Sequence, residues 1–177
     1  EPELVGRCVE AMVKATKIPV TIKTRIGYNE IENFEFLKSF IQTTKDAGSK
    51  KFIIHARKAL LKKLSPKENL NIPPLKYEFV YKLKEHFKHV GYSGHFAGID
   101  DALMALSQGA EVIEKHFTTN KDLPGRDNKF ALAPDELKRL CDFRDNLLKM
   151  QEDRGLDFQK CEEDVVLNYR GRWTSNE

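Results

Sequence analysis

The stretch KFIIHA (51–56) decides the fold class of this chain. It is a short apolar run that stops at a histidine, which is typical of a strand buried on both faces of a sheet. Apolar residues at helical spacing predict one helix before it, over about 34–47, and another after it, over about 76–88. The segment 57–75 is interrupted by prolines, so we predict a long loop there.

The alternation of strand and helix continues in both directions along the chain. Because of this alternation we predict an α/β fold with a parallel sheet, made of about four βα units. A segment without clear periodicity follows the last helix and is predicted to be an extended tail. The remaining predicted elements are strands 18–24, 89–93 and 111–117, helices 3–16 and 99–108, a helix that begins at Pro134, and the tail 153–177.

The composition is that of a globular protein. The chain has 177 residues, of which 40% are hydrophobic and 32% charged, and this length suffices to bury a core. No apolar run approaches the roughly 20 residues of a membrane span, so we expect a cytoplasmic protein with no membrane partner. Its three cysteines have no metal-type spacing and are expected to be reduced thiols. Since the chain begins EPELVG without methionine, we expect a piece of a longer protein.

The net charge of +3 is unevenly distributed. The segment 50–67 contains six lysines and Arg57 and no acidic residue. Such a run is either a solvated face or a surface for a phosphate-bearing partner, and both interpretations stay open.

Functional side chains of parallel α/β folds gather at the carboxyl ends of the strands. A lysine at a strand end often reaches solvent, and a histidine such as His55 is often a hydrogen-bonded core residue. Together, however, these strand-end residues indicate a cationic opening at the carboxyl end of the sheet, here called the mouth, that suits an electron-rich cofactor and a phosphate. The polar residues at the four predicted strand ends are Lys23 with Arg25, His55 with Arg57 and Lys58, Ser93 with His95, and Glu114 with His116.

His95 and His116 are the pair with the clearest chemistry. Each follows a strand, and neighbouring parallel strands lie about 4.8 Å apart, so the two imidazoles can share one cation. The alternative is that both are structural. Glu114 is a candidate metal ligand, base or salt-bridge partner. The turn PGRD (124–127) presents Arg126 and Asp127.

The first half resembles the tRNA-dihydrouridine synthase family, its A-type branch especially. The resemblance covers about 1–89 and rests on VTIKTRIG (20–27) and FIIHARKALLKKLSPKENLNIPPLKY (52–77). It implies a (β/α)8 barrel in which NADPH reduces a flavin mononucleotide, FMN, that then reduces a uridine flipped out of tRNA. The family's catalytic cysteine and its glycine-rich phosphate loops have no counterpart here.

This first resemblance also assigns roles to individual residues. It implies that Lys23 and His55 contact the flavin, and that Arg57 and Lys58 meet phosphates of the flavin or of tRNA. It further implies that tRNA approaches the loop 57–75. A lysine near the isoalloxazine edge stabilises the anionic reduced flavin, and the basic run 50–67 adds affinity through counterion release.

The second half resembles the N-acetylneuraminate (sialic acid) synthase family. The resemblance covers about 90–150, with a weaker match in YRGRW (169–173), and it rests on GYSGH (91–95), ALSQGAEVIEKHFT (105–118) and LPGRDNKFALAPDEL (123–137). It implies a (β/α)8 barrel that condenses phosphoenolpyruvate with an N-acetylated amino sugar at a divalent metal, Mn²⁺ or Mg²⁺.

The second resemblance implies that His95 and His116 are metal ligands and that Ser93 contacts phosphoenolpyruvate. It also implies that Glu114 transfers a proton and that Asp127 binds the sugar. The metal would polarise the aldehyde carbonyl of the acceptor. The family pattern is GYSDH, and Gly94 stands here where that pattern has aspartate.

Three hypotheses follow. The first is a chimeric or truncated partial (β/α)8 barrel, with segments 1–89, 90–152 and 153–177, that has parts of two sites and no complete activity. The second is a working condensing enzyme in which a homodimer covers the open barrel edges and supplies the missing strands. The third is a module that binds flavin or tRNA.

Overall fold

The computed structural model describes residues 1–62, 64–65, 68, 74–125 and 127–169. These residues form the α/β fold that the sequence predicts, with a four-stranded parallel sheet in the order β1-β2-β3-β4. The strands are β1 (Thr21–Arg25), β2 (Lys51–His55), β3 (Val90–Ser93) and β4 (Ile113–Glu114). The helices are α1 (Pro2–Ala15), α2 (Phe34–Asp46), α3 (Tyr77–His86), α4 (Asp100–Ser107), α5 (Pro134–Met150) and α6 (Glu163–Tyr169).

The main core lies between the sheet and the helices that follow β1 and β2. Ile41 of α2, Ile54 of β2 and Leu83 of α3 are each 0% exposed. Asn33 fixes the start of α2, since its side-chain oxygen accepts hydrogen bonds from the backbone N–H groups of Glu35 and Phe36. None of the helices in the described part of the chain is long and apolar enough to cross a lipid bilayer.

The sheet has two edges. Within the described residues, β1 pairs only with β2 and β4 pairs only with β3. A complete (β/α)8 barrel closes its sheet and has no edge. The fold is therefore compatible with the predicted partial barrel.

Strand β4 is shorter than the predicted strand 111–117. It contains only Ile113 and Glu114, which pair with Tyr92 and Ser93 of β3. Because β3 ends at Ser93, the residues after Glu114 have no partner backbone to continue the ladder. Phe117 instead forms an isolated bridge with Leu132.

The chain divides into two compact units, residues 1–144 and 145–177. The prediction of an extended tail over 153–177 differs from the structure, because the second unit contains a 3₁₀ turn (Lys160–Glu162) followed by α6. A capping box between Gln159 and Glu162 starts this helical segment, and such a local signal does not need a hydrophobic period. In YRGRW (169–173), residues 170–173 lie outside the described part of the chain.

Candidate functional site

The carboxyl ends of the four strands form one row of polar residues. Arg25 is the register partner of His55, His55 of Ser93, and Ser93 of Glu114. The four predicted strand ends are thus at the same level of the sheet. An open cavity of about 310 Å³ lies above the first part of the row and is lined by Lys23, Thr24, Arg25, His55 and His95.

Three histidines meet at this edge. Nε2 of His116 and Nε2 of His95 are 3.2 Å apart. The rings of His55 and His95 have centroids 4.7 Å apart, so a residue from the first half joins the predicted pair. Phe130 packs against His95 and His116, with ring centroids at 5.0 and 5.4 Å.

Burial keeps two of these imidazoles neutral. It lowers the pKa of His55 to about 3, with further contributions from Arg25 and His95. It lowers the pKa of His95 to about 4, with His116 as the next cause. Among the described residues, Nε2 of His55 and Nδ1 of His95 are buried atoms without a hydrogen-bond partner. Neutral imidazole is the form that donates a lone pair to a metal.

Lys23 and Glu114 pair with each other. Their Nζ and Oε1 atoms are 2.5 Å apart, although β1 and β4 are separated by two strands. Three strand spacings in a flat sheet amount to about 14 Å. The contact therefore requires the sheet to curve, and it joins a predicted flavin contact to a predicted proton-transfer residue.

Asp127 and Ser93 lie near the histidines in different ways. Oδ2 of Asp127 is 3.8 Å from Nδ1 of His116, which is too long for a hydrogen bond. Ser93 is 1% exposed and occupies the row between His55 and Glu114.

The charge of Lys58 is neutralised locally. Its Nζ lies 2.6 Å from Oε2 of Glu32, and Oε1 of the same carboxylate contacts Nζ of Lys76. These two hydrogen bonds hold the pKa of Glu32 below its ordinary value. Arg25 donates to the backbone oxygen of Lys58 at 3.1 Å. Sequence reasoning missed Glu32, because only the fold brings it to the two lysines.

The basic run 50–67 does not form one surface. Lys50 and Lys51 lie at the amino end of β2, whereas Arg57, Lys58 and Lys62 follow its carboxyl end. The five residues of the strand separate the two groups by about 16 Å. Lys63 and Lys67, the other members of the run, lie outside the described residues.

The histidines of KEHFKHVGYSGHF (84–96) do not form one site either. His86 ends α3, and Nδ1 of His89 lies 2.5 Å from Oε2 of Glu111. His89 precedes β3 and His95 follows it, so these two histidines lie at opposite ends of the strand.

A buried polar network behind the site was not predicted. The hydroxyl of Tyr92 donates to Oδ2 of Asp101 at 2.9 Å, and Nζ of Lys115 donates to Oδ1 of Asp101 at 2.9 Å. The side chains of Lys115 and Asp101 are only 4% and 2% exposed. The sequence signal was the alternation Glu114-Lys115-His116 within the predicted strand 111–117, which would place Lys115 on the face opposite to its two neighbours.

The described residues contain no group of three or more histidine, cysteine, aspartate or glutamate side chains that is arranged to hold a metal. His95 and His116 together provide two nitrogen atoms that could bind a metal.

Known proteins similar to this chain show the family to which it belongs. The NeuB family matches residues 65–154, just over half of the 177 residues, and the chain belongs to this family. Its fold is similar to that of the N-acetylneuraminic acid (sialic acid) synthetase of Leptospira borgpetersenii, with a TM-score of 0.61 and 20% identity over 98% of this chain and 56% of that one. A spore coat polysaccharide biosynthesis protein of Bacillus subtilis gives a TM-score of 0.55 and 24% identity over 90% and 46% of the two chains.

The chain is also similar to tRNA-dihydrouridine(20/20a) synthases. It is 47% identical to that of Pasteurella multocida over 113 residues, which are 64% of this chain and 31% of that protein. It is 50% identical to that of Shewanella oneidensis over 104 residues, 58% of this chain and 31% of that protein. The chain thus spans about a third of the length of these curated relatives.

Both predicted resemblances are therefore confirmed. Matches over 113 residues and over 65–154 cannot both fit into 177 residues without overlap. Part of the chain is thus similar to both families.

Proposed function

We propose that this chain forms part of the mouth of a metal-dependent condensing barrel of the NeuB kind, in which His95 and His116 hold Mn²⁺ or Mg²⁺. The observation that carries the proposal is the distance of 3.2 Å between their Nε2 atoms. Two nitrogen ligands at about 2.1 Å from a cation, and at right angles, are about 3 Å apart. A cation there would replace the hydrogen bond that the two Nε2 atoms make with each other.

The surroundings of the pair support a metal. The low pKa of His95, about 4, keeps its ring neutral at physiological pH. Asp127 lies on the Nδ1 side of His116, whereas Nε2 of the same ring faces His95. His95 and His116 would hold the cation, and oxygen atoms of water or substrate would supply its other ligands. When bound, the cation supplies Lewis-acid polarisation of an aldehyde carbonyl.

The charge of the mouth supports phosphoenolpyruvate as one substrate. Lys23, Arg25 and His55 line the cavity; Lys23 is paired with Glu114, and Arg25 contributes a second positive charge that attracts a phosphate or a carboxylate. In this proposal Ser93 contacts phosphoenolpyruvate and Asp127 contacts an N-acetylated amino sugar. Glu114, whose carboxylate lies 2.5 Å from Nζ of Lys23, is the proton-transfer residue in this proposal.

We further propose that one copy of the chain is not a complete enzyme and that two copies pair to cover the open sheet edges. The edges at β1 and β4 support this, because unpaired backbone groups favour the addition of further strands. A chimeric origin, with a junction near residue 89, is part of the same proposal.

Calorimetric titration with Mn²⁺ tests the metal site. We expect one cation per chain, and we expect His95→Ala and His116→Ala each to weaken binding at least tenfold. His86→Ala is the matched control, since His86 lies on α3 away from the strand ends. Equal affinity in all four proteins, or no binding by the parent chain, would refute the proposed function.

A flavin- and tRNA-binding module is the second candidate. The sequence identity of 47–50% to tRNA-dihydrouridine synthases favours this second candidate. The position of Lys23 and His55 on one cavity also favours it. The ion pair between Lys23 and Glu114 competes with it, because a lysine bound to a carboxylate is less available to a flavin.

Quenching of FMN fluorescence tests this second candidate. Saturable quenching that Lys23→Ala weakens, and Lys17→Ala does not, would support it. Lys17 precedes β1 and so lies at the opposite end of that strand from the mouth. Absence of quenching up to millimolar protein would exclude FMN binding by this chain.

A further inference from the structure

A second cavity lies at the opposite end of the strands from the mouth. At the amino ends of β2 and β3, the turn from α2 into β2 and the turn from α3 into β3 enclose a volume of about 350 Å³. The five residues of β2, about 16 Å in length, separate this amino-end cavity from the mouth. The proposed metal site does not use it.

We propose that the amino-end cavity binds an organic phosphomonoester. The phosphate lies among Lys45, Lys50 and Lys88, and an apolar or aromatic part of the ligand lies on the floor of the cavity. This site is separate from the metal site at the mouth and does not depend on it.

Three lysines line the cavity without a counterion in the protein. Among the residues that the structure describes, Lys45, Lys50 and Lys88 form no ion pair, and the cavity lining contains no carboxylate. At the mouth, in contrast, Lys23 is bound by Glu114. Because three positive charges around one concave space are not neutralised, their potential favours a doubly charged anion such as a phosphomonoester.

Acidic residues close to these lysines have other partners. Asp46 follows Lys45 in the sequence, and its Oδ1 accepts a hydrogen bond from the side chain of Gln42 at 2.7 Å. Oε2 of Glu111 lies 2.5 Å from Nδ1 of His89, which also lines the cavity. The carboxylate of Glu111 therefore offsets a charge on His89 and not the charges of the three lysines.

Phe52 and Phe87 form the apolar floor of the cavity. They are 2% and 4% exposed, and their ring centroids are 6.2 Å apart. Nζ of Lys45 lies 5.5 Å from the centroid of the Phe87 ring, so this ammonium group is held above the floor by a cation–π contact. Positive charge next to apolar surface matches a ligand in which a phosphate is joined to an apolar group.

The size of the cavity favours an organic ligand over inorganic phosphate. Its 350 Å³ falls within the range of about 300–1,000 Å³ that is usual for small-molecule sites. The walls are fixed before any ligand binds, because the backbone N–H of Phe52 donates to the oxygen of His89 at 3.0 Å. Nζ of Lys84 also donates to the backbone oxygen of Lys88 at 2.7 Å. A phosphate group alone would leave most of this volume to water.

Calorimetric titration with phenyl phosphate and with inorganic phosphate, in the absence of metal, tests the site. We expect one phenyl phosphate per chain, bound at least about tenfold more tightly than inorganic phosphate, because the ring covers apolar surface. Lys45→Met and Lys88→Met keep most of the aliphatic stem and remove the charge. Each is expected to weaken binding about fivefold or more, since a single ion pair at 4 Å contributes that much even in bulk water.

Lys38→Met is the matched control. Lys38 lies on the same helix as Lys45, about 10 Å away along the axis, and does not line the cavity. Its affinity for phenyl phosphate is expected to equal that of the parent chain. No saturable binding by the parent, equal affinity for the two phosphates, or equal effects of Lys38→Met and Lys45→Met would each overturn the proposal. Titration with Mn²⁺ decides the metal site separately.

Discussion

Replacement of Glu32 by glutamine tests how burial determines the contribution of an ion pair to the free energy of unfolding. The Glu32 carboxylate binds Lys58 at 2.6 Å and also contacts Lys76, and its side chain is 16% exposed. Hydrogen bonds to charged groups contribute about 1.5–3 kcal/mol each when buried. The lysines are 23% and 35% exposed, so water compensates part of the loss. We expect Glu32→Gln to lower the free energy of unfolding by about 2 kcal/mol and Tm by about 4–8 °C.

The dependence on pH has a definite sign. The two lysines hold the pKa of Glu32 below its ordinary value of about 4.3. A lowered folded-state pKa gives stability that is fully present above the unfolded-state pKa and is lost as pH falls through the folded-state pKa. The difference between the parent and Glu32→Gln is thus complete at pH 7 and disappears in strong acid.

Urea denaturation at pH 7 and at lower pH measures both effects. Glu10→Gln is the control, because Glu10 binds Lys14 at the same distance of 2.6 Å but both side chains are more than half exposed. Its stability is expected to match the parent within error, as for other surface pairs. Equal effects of the two substitutions, or a Glu32→Gln effect that persists unchanged in acid, would contradict this reasoning.

Three further outcomes are expected. Leu83→Ala lowers the free energy of unfolding by about 2–5 kcal/mol in urea denaturation, because Leu83 is 0% exposed in the core; a loss below about 1 kcal/mol would show a looser core. Tyr92→Phe costs about 1–2 kcal/mol, since it removes a hydrogen bond to a buried carboxylate, and an unchanged unfolding midpoint would contradict that bond. If tRNA binds at the mouth, the logarithm of the tRNA association constant falls less steeply with the logarithm of the salt concentration in Lys62→Ala, by about 1 in slope, and Lys50→Ala leaves the slope unchanged. Equal slopes for the two variants would place tRNA elsewhere.

Local signals in the sequence were sufficient for most of the fold. The stretch KFIIHA (51–56) and the Asn33 cap define β2 and α2 within about one residue, because apolar runs and caps act over a few positions. The rule that functional groups gather at carboxyl strand ends also predicted that Arg25, His55, Ser93 and Glu114 would meet.

Features that depend on contact with a strand or loop distant in sequence could not be predicted from local signals. The length of β4 follows from the end of β3 at Ser93, which no pattern within 111–117 reveals. The ion pair of Lys23 with Glu114 depends on the curvature of the sheet. The pairing of Lys58 with Glu32 depends on two loops that meet only in the folded chain.

The buried pair of Asp101 and Lys115 was missed for the same reason. It joins the first turn of α4 to the residue after β4. No pattern within either segment reveals that the two side chains meet.

Native mass spectrometry of the chain with Mn²⁺ and FMN both present distinguishes the metal site from the flavin site, because it reports metal, flavin and subunit number together. We expect one Mn²⁺ per chain, no retained FMN, and loss of the metal in His95→Ala but not in His86→Ala. A chain that retains FMN and no metal, or whose metal content is unchanged by His95→Ala, would contradict this expectation.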